Sequence, residues 1–276
     1  MAERNEWSGD LGVAWAGINA AMDAQLAPVL GPAIQALAPR PGERIIDLGC
    51  GGGASSLEIA HAVGPEGRVL GLDISPDLAE IARARGRDLP QLKIVTGDAA
   101  RHAFEAPFDA LFTRFGCMFF EDPPAAMGHL RQGLKPGGRA LLTVWAEPEH
   151  NPWAMVPAKA AAMVLGPAEK LPPGAPGPFG WASPAIFEPI LAAAGFRDLT
   201  VAEMEVEMEI GHGDGSDPVA RAVAAMTTMG PLGRRLQDAP DAREEASEVL
   251  AGLLAAHIRD GAVRLGGRIR LLSAIA

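Results

Sequence analysis

The sequence predicts an α/β fold built on a parallel sheet. Two observations carry this reading: between about Arg40 and Trp145 short apolar runs alternate with helical patterns, and the first apolar run ends in a glycine cluster that opens a helix. Arg44–Leu48 is the first strand, and Asp47-Leu48-Gly49-Cys50-Gly51-Gly52-Gly53 turns from it into a helix over Ala54–Val63. Glycines without a Cβ let the backbone pass close to a ligand while free helix N–H groups point at it, so this reads as a nucleotide-binding turn. Further strands are expected at residues 68–72, 92–95, 108–113 and 139–145. The helices between them have legible ends. Ser75 caps one, with Pro76 at its first position and Gly86 near its end; Asp122 followed by Pro123 opens another, which stops before Pro136-Gly137-Gly138. A helix over residues 183–195, with Pro189 inside it, leads into a strand over 196–208, and the last strand lies within Ala262–Ile275.

Composition excludes several classes of function. The chain has 276 residues, with 24 Lys and Arg against 34 Asp and Glu, and its formal charge of −10 repels nucleic acid and anionic membrane. The polar start lacks a signal peptide's apolar core and no apolar run could span a bilayer, so a cytoplasmic chain is expected. Two cysteines, Cys50 and Cys117, form no disulfide framework, no zinc-ligand spacing occurs, and tyrosine is absent. Three stretches stand outside the strand–helix rhythm. Residues 1–39 are expected as an N-terminal helical arm or lid, 147–182 as a Pro/Gly-rich cover, and 211–261 as a helical cover, around a core of 40–146 continued by 183–210 and completed by 262–276. Within the first cover, Leu171 to Phe179 is too proline-rich for regular structure. Trp145, Trp153, Phe179 and Trp181 favour a substrate cover.

The ligand narrows with the next motifs. Gly49-Cys-Gly51-Gly-Gly-Ala54 fits a dinucleotide fingerprint, and Asp73 ends the second strand where a carboxylate takes ribose hydroxyls. Nicotinamide dinucleotides and adenosyl ligands both remain allowed at this point. Asp47 inside the turn, Gly97-Asp98-Ala99 closing the third strand, and Lys135-Pro-Gly-Gly138 leading into the fifth favour the adenosyl ligand.

Together with the strand-four block Phe108 to Gly116, these pieces resemble the successive motifs of class I S-adenosylmethionine-dependent methyltransferases. The flanks also look like a bacterial small-molecule subgroup: Trp7, Trp15, Arg114-Phe-Gly-Cys-Met-Phe-Phe120, Asn151-Pro-Trp153 and Asp260 to Leu265. The resemblance implies a Rossmann-like, doubly wound, seven-stranded sheet whose final strand is inserted antiparallel beside the sixth. It implies S-adenosylmethionine as cofactor, with Gly49, Cys50 and Gly51 on its methionine part and Asp73 on the ribose. Asp98 and Ala99 then face the adenine and Phe115 the sulfonium. Trp15, Asp47, Ile74 and Arg114 complete the expected cofactor site. Cys117, Met118, Trp145, Trp153 and Phe179 are expected around a small-molecule methyl acceptor.

Asp122-Pro123-Pro124 is similar to a DNA amino-methyltransferase signature, but it comes after strand four and is followed by Ala125, so it reads as a helix cap. Thr113-Arg114-Phe115 offers no carboxylate for a metal at the tip of strand four, so no metal is expected. For a hydroxyl or protonated amine acceptor a base is useful, and His150 and Glu147, just past strand five, are best placed. The rival readings are an NAD(P) oxidoreductase and a cofactor-binding protein without catalysis. The oligomeric state is not readable.

Overall fold

Helix α1 (Asp10–Gly17) and helix α2 (Asn19–Leu37) precede the first strand, β1 (Arg44–Leu48). This computed structural model describes residues 7–169, 171–213 and 217–276; residues 1–6 of the expected arm, Lys170 of the first cover and 214–216 of the second lie outside the described residues. The alternation then runs α3 (Ala54–Val63), β2 (Arg68–Asp73), α4 (Pro76–Arg85), β3 (Leu92–Thr96), β4 (Phe108–Arg114), α5 (Pro123–Gln132) and β5 (Leu134–Trp145). Helix α6 (Pro152–Leu165) and α7 (Pro184–Ala193) lead to β6 (Arg197–Ile210). Helices α8 (Pro218–Thr228), α9 (Gly230–Asp238) and α10 (Arg243–Leu254) come next, then the two-residue β7 (Ile258–Arg259) and β8 (Ala262–Ile275).

The strands form one sheet in the order β3-β2-β1-β4-β5-β8-β6, with β7 paired to β8. Strands β1 to β5 are parallel, and β8 enters antiparallel between β5 and β6. This is the Rossmann-like order with the antiparallel final strand, carrying one extra short strand. Helices cover both faces, so the central strands can be apolar throughout: Ile45, Ile46, Leu111, Phe112, Leu142 and Val144 are fully buried.

Register explains why β8 fits where it does. Glu203, Glu205 and Glu209 of β6 stand opposite Arg270, Arg268 and Arg264 of β8. The guanidinium nitrogens lie 2.7, 2.6 and 3.8 Å from those carboxylates. A slip of one residue would break every pair and turn the apolar positions Val206 and Met208 outward.

Most bounds shift from the sequence expectation by one or two residues, and two regions differ by more. Strand β5 starts at Leu134, not 139, because Phe108 pairs with Leu134 and Ala110 with Arg139, leaving Lys135 to Gly138 as a bulge inside the strand. The cover over 147–182 contains the regular helix α6; Pro152 occupies its first turn, where a missing N–H costs nothing, and Pro157 sits inside it. The described residues of 166–182 contain no helix or strand. No described helix is long and apolar enough to cross a membrane.

Candidate active site

The glycine turn is held by backbone. Gly49 and Cys50 N–H groups donate to the Leu72 carbonyl at 2.8 and 3.2 Å, which fastens the turn to the end of β2. Gly51 N–H donates to one Asp73 carboxylate oxygen at 2.7 Å, and Ser75 N–H to the other at 2.9 Å. Burial pushes the Asp73 carboxyl above its ordinary pKa, opposed by these N–H donors. Gly49 has φ +63°, and a Cβ on it would meet Gly116 Cα at 2.9 Å, so the end of β4 requires glycine there. Around Gly51 (φ +54°) a Cβ would meet nothing within 4 Å, and the same is true at Gly97, so both glycines border open space a ligand can fill. Asp47 lies beneath the turn, fully buried. One of its oxygens accepts from the Ser55 and Ser56 hydroxyls at 2.7 and 2.6 Å, while the other has no partner among the described residues. Burial raises its pKa to about 6, against the two hydroxyls and Arg114.

Above the C-terminal ends of the strands lies a cavity of about 690 Å³, within the ~300–1,000 Å³ of ligand sites in general. It straddles the β1/β4 switch point, where open α/β sheets bind ligands. At the strand ends it is lined by Gly49 to Gly52, Asp73, Ile74, Asp98, Ala99, Arg114 and Phe115, and beyond them by Met118, Trp145 and Trp153. Phe115 holds a left-handed backbone (φ +66°), and its ring lies flat on Trp145, centroids 4.3 Å apart and planes 5° apart. Trp153 follows at 4.8 Å from Trp145. Trp7 packs edge-on to Trp15 and Phe119, at 5.5 and 5.4 Å, and all three line the same cavity.

The structure brings most of the sequence-derived set together. Trp15, Gly49, Cys50, Gly51, Asp73, Ile74, Asp98, Ala99, Arg114 and Phe115 all line the cavity, and so do Met118, Trp145 and Trp153. Asp47 supports the turn from below. Cys117 sits in the core, fully buried, with its thiol pushed far above the ordinary value by burial, so it is not part of the acceptor wall. Phe179 packs on Trp153 at 5.9 Å without reaching the cavity wall. His150 and Glu147 are also outside the wall. After β5 the chain turns away from the cavity in a short 3-10 turn (Pro148–His150), pinned by the Asn151 amide donating to the Ala146 and Glu147 carbonyls at 3.0 and 2.9 Å. The Glu147 carboxylate is taken by Arg270 at 2.8 Å; that hydrogen bond lowers its pKa against the effect of burial.

Sequence reasoning missed the contribution of α2. Asn19, Met22, Asp23 and Leu26 line the cavity, and Asp23 accepts from Arg85 at 2.7 Å and from Asn19 at 3.2 Å. The largely buried Arg114 guanidinium lies 3.8 Å from Asp23 and donates to the Leu26 carbonyl at 3.5 Å. Burial lowers the Arg114 pKa, with Asp23 opposing. Nothing in the spacing of α2 distinguishes these residues from an ordinary packed face. Arg234 and Gln237 on α9 were missed as well.

Comparison with known proteins bears on family and fold. Residues 45–138 match a family described as a methyltransferase domain. The nocamycin O-methyltransferase of Saccharothrix syringae is 36% identical over 141 residues, 50% of this chain and 50% of that protein. The 2-phytyl-1,4-naphtoquinone methyltransferase of Synechococcus elongatus is 35% identical over 114 residues, 40% of this chain and 49% of that protein. The chain thus spans about half the length of these curated relatives. In fold it is similar to the YcgJ protein from Bacillus subtilis, with a TM-score of 0.57 at 17% identity over 89% of this chain and 97% of the other. Residues 45–138 thus match a methyltransferase-domain family, within a sheet of Rossmann-like order with an antiparallel final strand.

Proposed function

We propose that the chain transfers a methyl group from S-adenosylmethionine to a small, partly apolar molecule by in-line displacement. The observation that carries this reading is one continuous cavity, polar and backbone-rich at the strand ends and aromatic on the side of β5 and α6. Bound S-adenosylmethionine supplies a methyl group on an electrophilic sulfonium. What remains for the protein is positioning, which contributes up to about 7–11 kcal/mol. In this reading Asp73 accepts from ribose hydroxyls, Asp98 and Ala99 border the adenine, and Gly51 and Gly97 leave room for the cofactor's body. Arg114 and Asp23, opposite charges at one end of the cavity, complement a carboxylate and an ammonium. The stacked Phe115 and Trp145 give the cavity an apolar, aromatic surface against which an acceptor can be held. The names of the curated relatives, both small-molecule methyltransferases, support the acceptor class.

Parallel titrations with S-adenosylhomocysteine and with NAD test the cofactor. Binding of the first and not the second is expected; NAD binding without S-adenosylhomocysteine would overturn the reading in favour of an oxidoreductase. Incubation of enzyme, isotopically labelled cofactor and a metabolite extract, read by mass spectrometry, then tests catalysis and identifies the acceptor.

A further inference from the structure

Among the described residues two arginines line the cavity, and they differ in kind. Arg114 is buried at the strand ends beside Asp23. Arg234 stands exposed on α9 at the cavity mouth, and no carboxylate or carbonyl of the described residues engages it. Its neighbour explains why it faces that way. Arg235 donates to the Gly166 and Leu165 carbonyls, both at 2.9 Å, at the C-terminus of α6, while Leu232 and Leu236 are fully buried. With α9 fastened by those contacts, Arg234 and Gln237, three residues apart, share the face that borders the cavity. Helix α9 packs on α8 and on α6, the helix that carries Trp153 of the cavity lining. Glu121 also lines the cavity and has a partner of its own.

We propose that Arg234, with Gln237, docks an acidic group of the methyl acceptor, which is an organic anion with an apolar body; this rests on the methyltransferase reading above. A chain of formal charge −10 repels free anions, so an unpaired guanidinium at the entrance supplies the local attraction such an acceptor needs. The apolar body is met by Met118, Trp145 and Trp153. Among the described residues lining the cavity there is no histidine and no lysine, and the carboxylates are Asp23, Asp73, Asp98 and Glu121. An acceptor oxygen that enters ionised bonds to the methyl carbon with its own electron pair as the carbon–sulfur bond breaks toward sulfur. The two opposite charges vanish together and no proton has to leave.

The test uses a matched pair of fluorescent probes with one ring skeleton, the anion 1-anilinonaphthalene-8-sulfonate and the neutral N-phenyl-1-naphthylamine, titrated into the whole protein saturated with S-adenosylhomocysteine. The protein is expected to bind the anion more tightly. Arg234→Gln should weaken the anion about tenfold, more at low salt than at high, and leave the neutral probe within about twofold. Unchanged S-adenosylhomocysteine affinity in the variant shows that it is folded. Equal binding of the two probes, or equal loss of both in Arg234→Gln, would overturn the proposal. A protein that binds the anion through Arg234 but does not bind S-adenosylhomocysteine would refute the methyltransferase reading instead.

Discussion

Asp73 has two tasks at once, because the same carboxylate that borders the cavity accepts the Gly51 and Ser75 N–H groups. Hydrogen bonds to a charged group contribute roughly 1.5–3 kcal/mol each, so Asp73→Ala should weaken S-adenosylhomocysteine binding at least about tenfold, read by titration calorimetry on folded protein. Unchanged affinity would remove Asp73 from the site. Asp47 works through pH. Its carboxyl is raised by burial from 3.8 to about 6, so between those values the folded chain holds a proton that the unfolded chain has lost. Stability therefore declines as pH rises through that window, by an amount on the order of 3 kcal/mol for this one group. Urea unfolding at pH 4 and pH 7 should show wild type losing more over this interval than Asp47→Asn, which cannot titrate; parallel losses would show that Asp47 is not the group. His150 and Glu147 illustrate the limit of proximity in sequence: both follow β5 directly, yet the Asn151 amide turns the chain so that neither lines the cavity.

Elements carried by turn chemistry were legible in the sequence, and those carried by long-range pairing were less so. Strand β1, the glycine turn and α3 match their expected bounds because glycines and an apolar run specify them locally. The early start of β5 was hidden because Lys135-Pro-Gly-Gly138 has the chemistry of a turn, and only pairing with β4 makes it a bulge. Helix α6 was hidden by prolines that are tolerated at its start. Asp23 and Arg234 were invisible because their meaning depends on which helix face meets the cavity. The β6/β8 ladder gives a prediction at this scale. Arg270 has 7% side-chain exposure and holds both Glu203 and Glu147, and it also donates to the Ala182 carbonyl. Arg270→Met should cost about 1–3 kcal/mol in urea unfolding, since it leaves the partly buried Glu147 carboxylate and the Ala182 carbonyl without their donor and releases the exposed Glu203. Glu205→Gln, on a carboxylate 65% exposed, should cost no more than about 0.5 kcal/mol. Equal costs would mean that the ladder acts through strand propensity and not through its buried pair.

Across the whole molecule, three chain segments far apart in sequence meet over one sheet edge: α1 and α2, the region beyond β5 through Pro178, and the α8–α9 junction all line the cavity. Ligand and covers are then coupled, because a segment that walls the cavity cannot open without exposing what lies inside. The arm is also tied to the cofactor turn: a Cβ on Gly12 would meet the Trp7 carbonyl at 2.2 Å and Ser75 Oγ at 2.6 Å, and Ser75 both caps α4 and donates to Asp73. If cleavage requires local opening, ligand at about 100 times its Kd slows it by up to about a hundredfold. Limited proteolysis should accordingly show cuts within residues 7–18 and 166–182 in the free protein, strongly suppressed by saturating S-adenosylhomocysteine. Gly12→Ala, which pushes the arm off Ser75, should restore the cut in 7–18 and leave protection of 166–182 in place. Identical digestion with and without ligand would show that these segments form a fixed wall and take no part in closure.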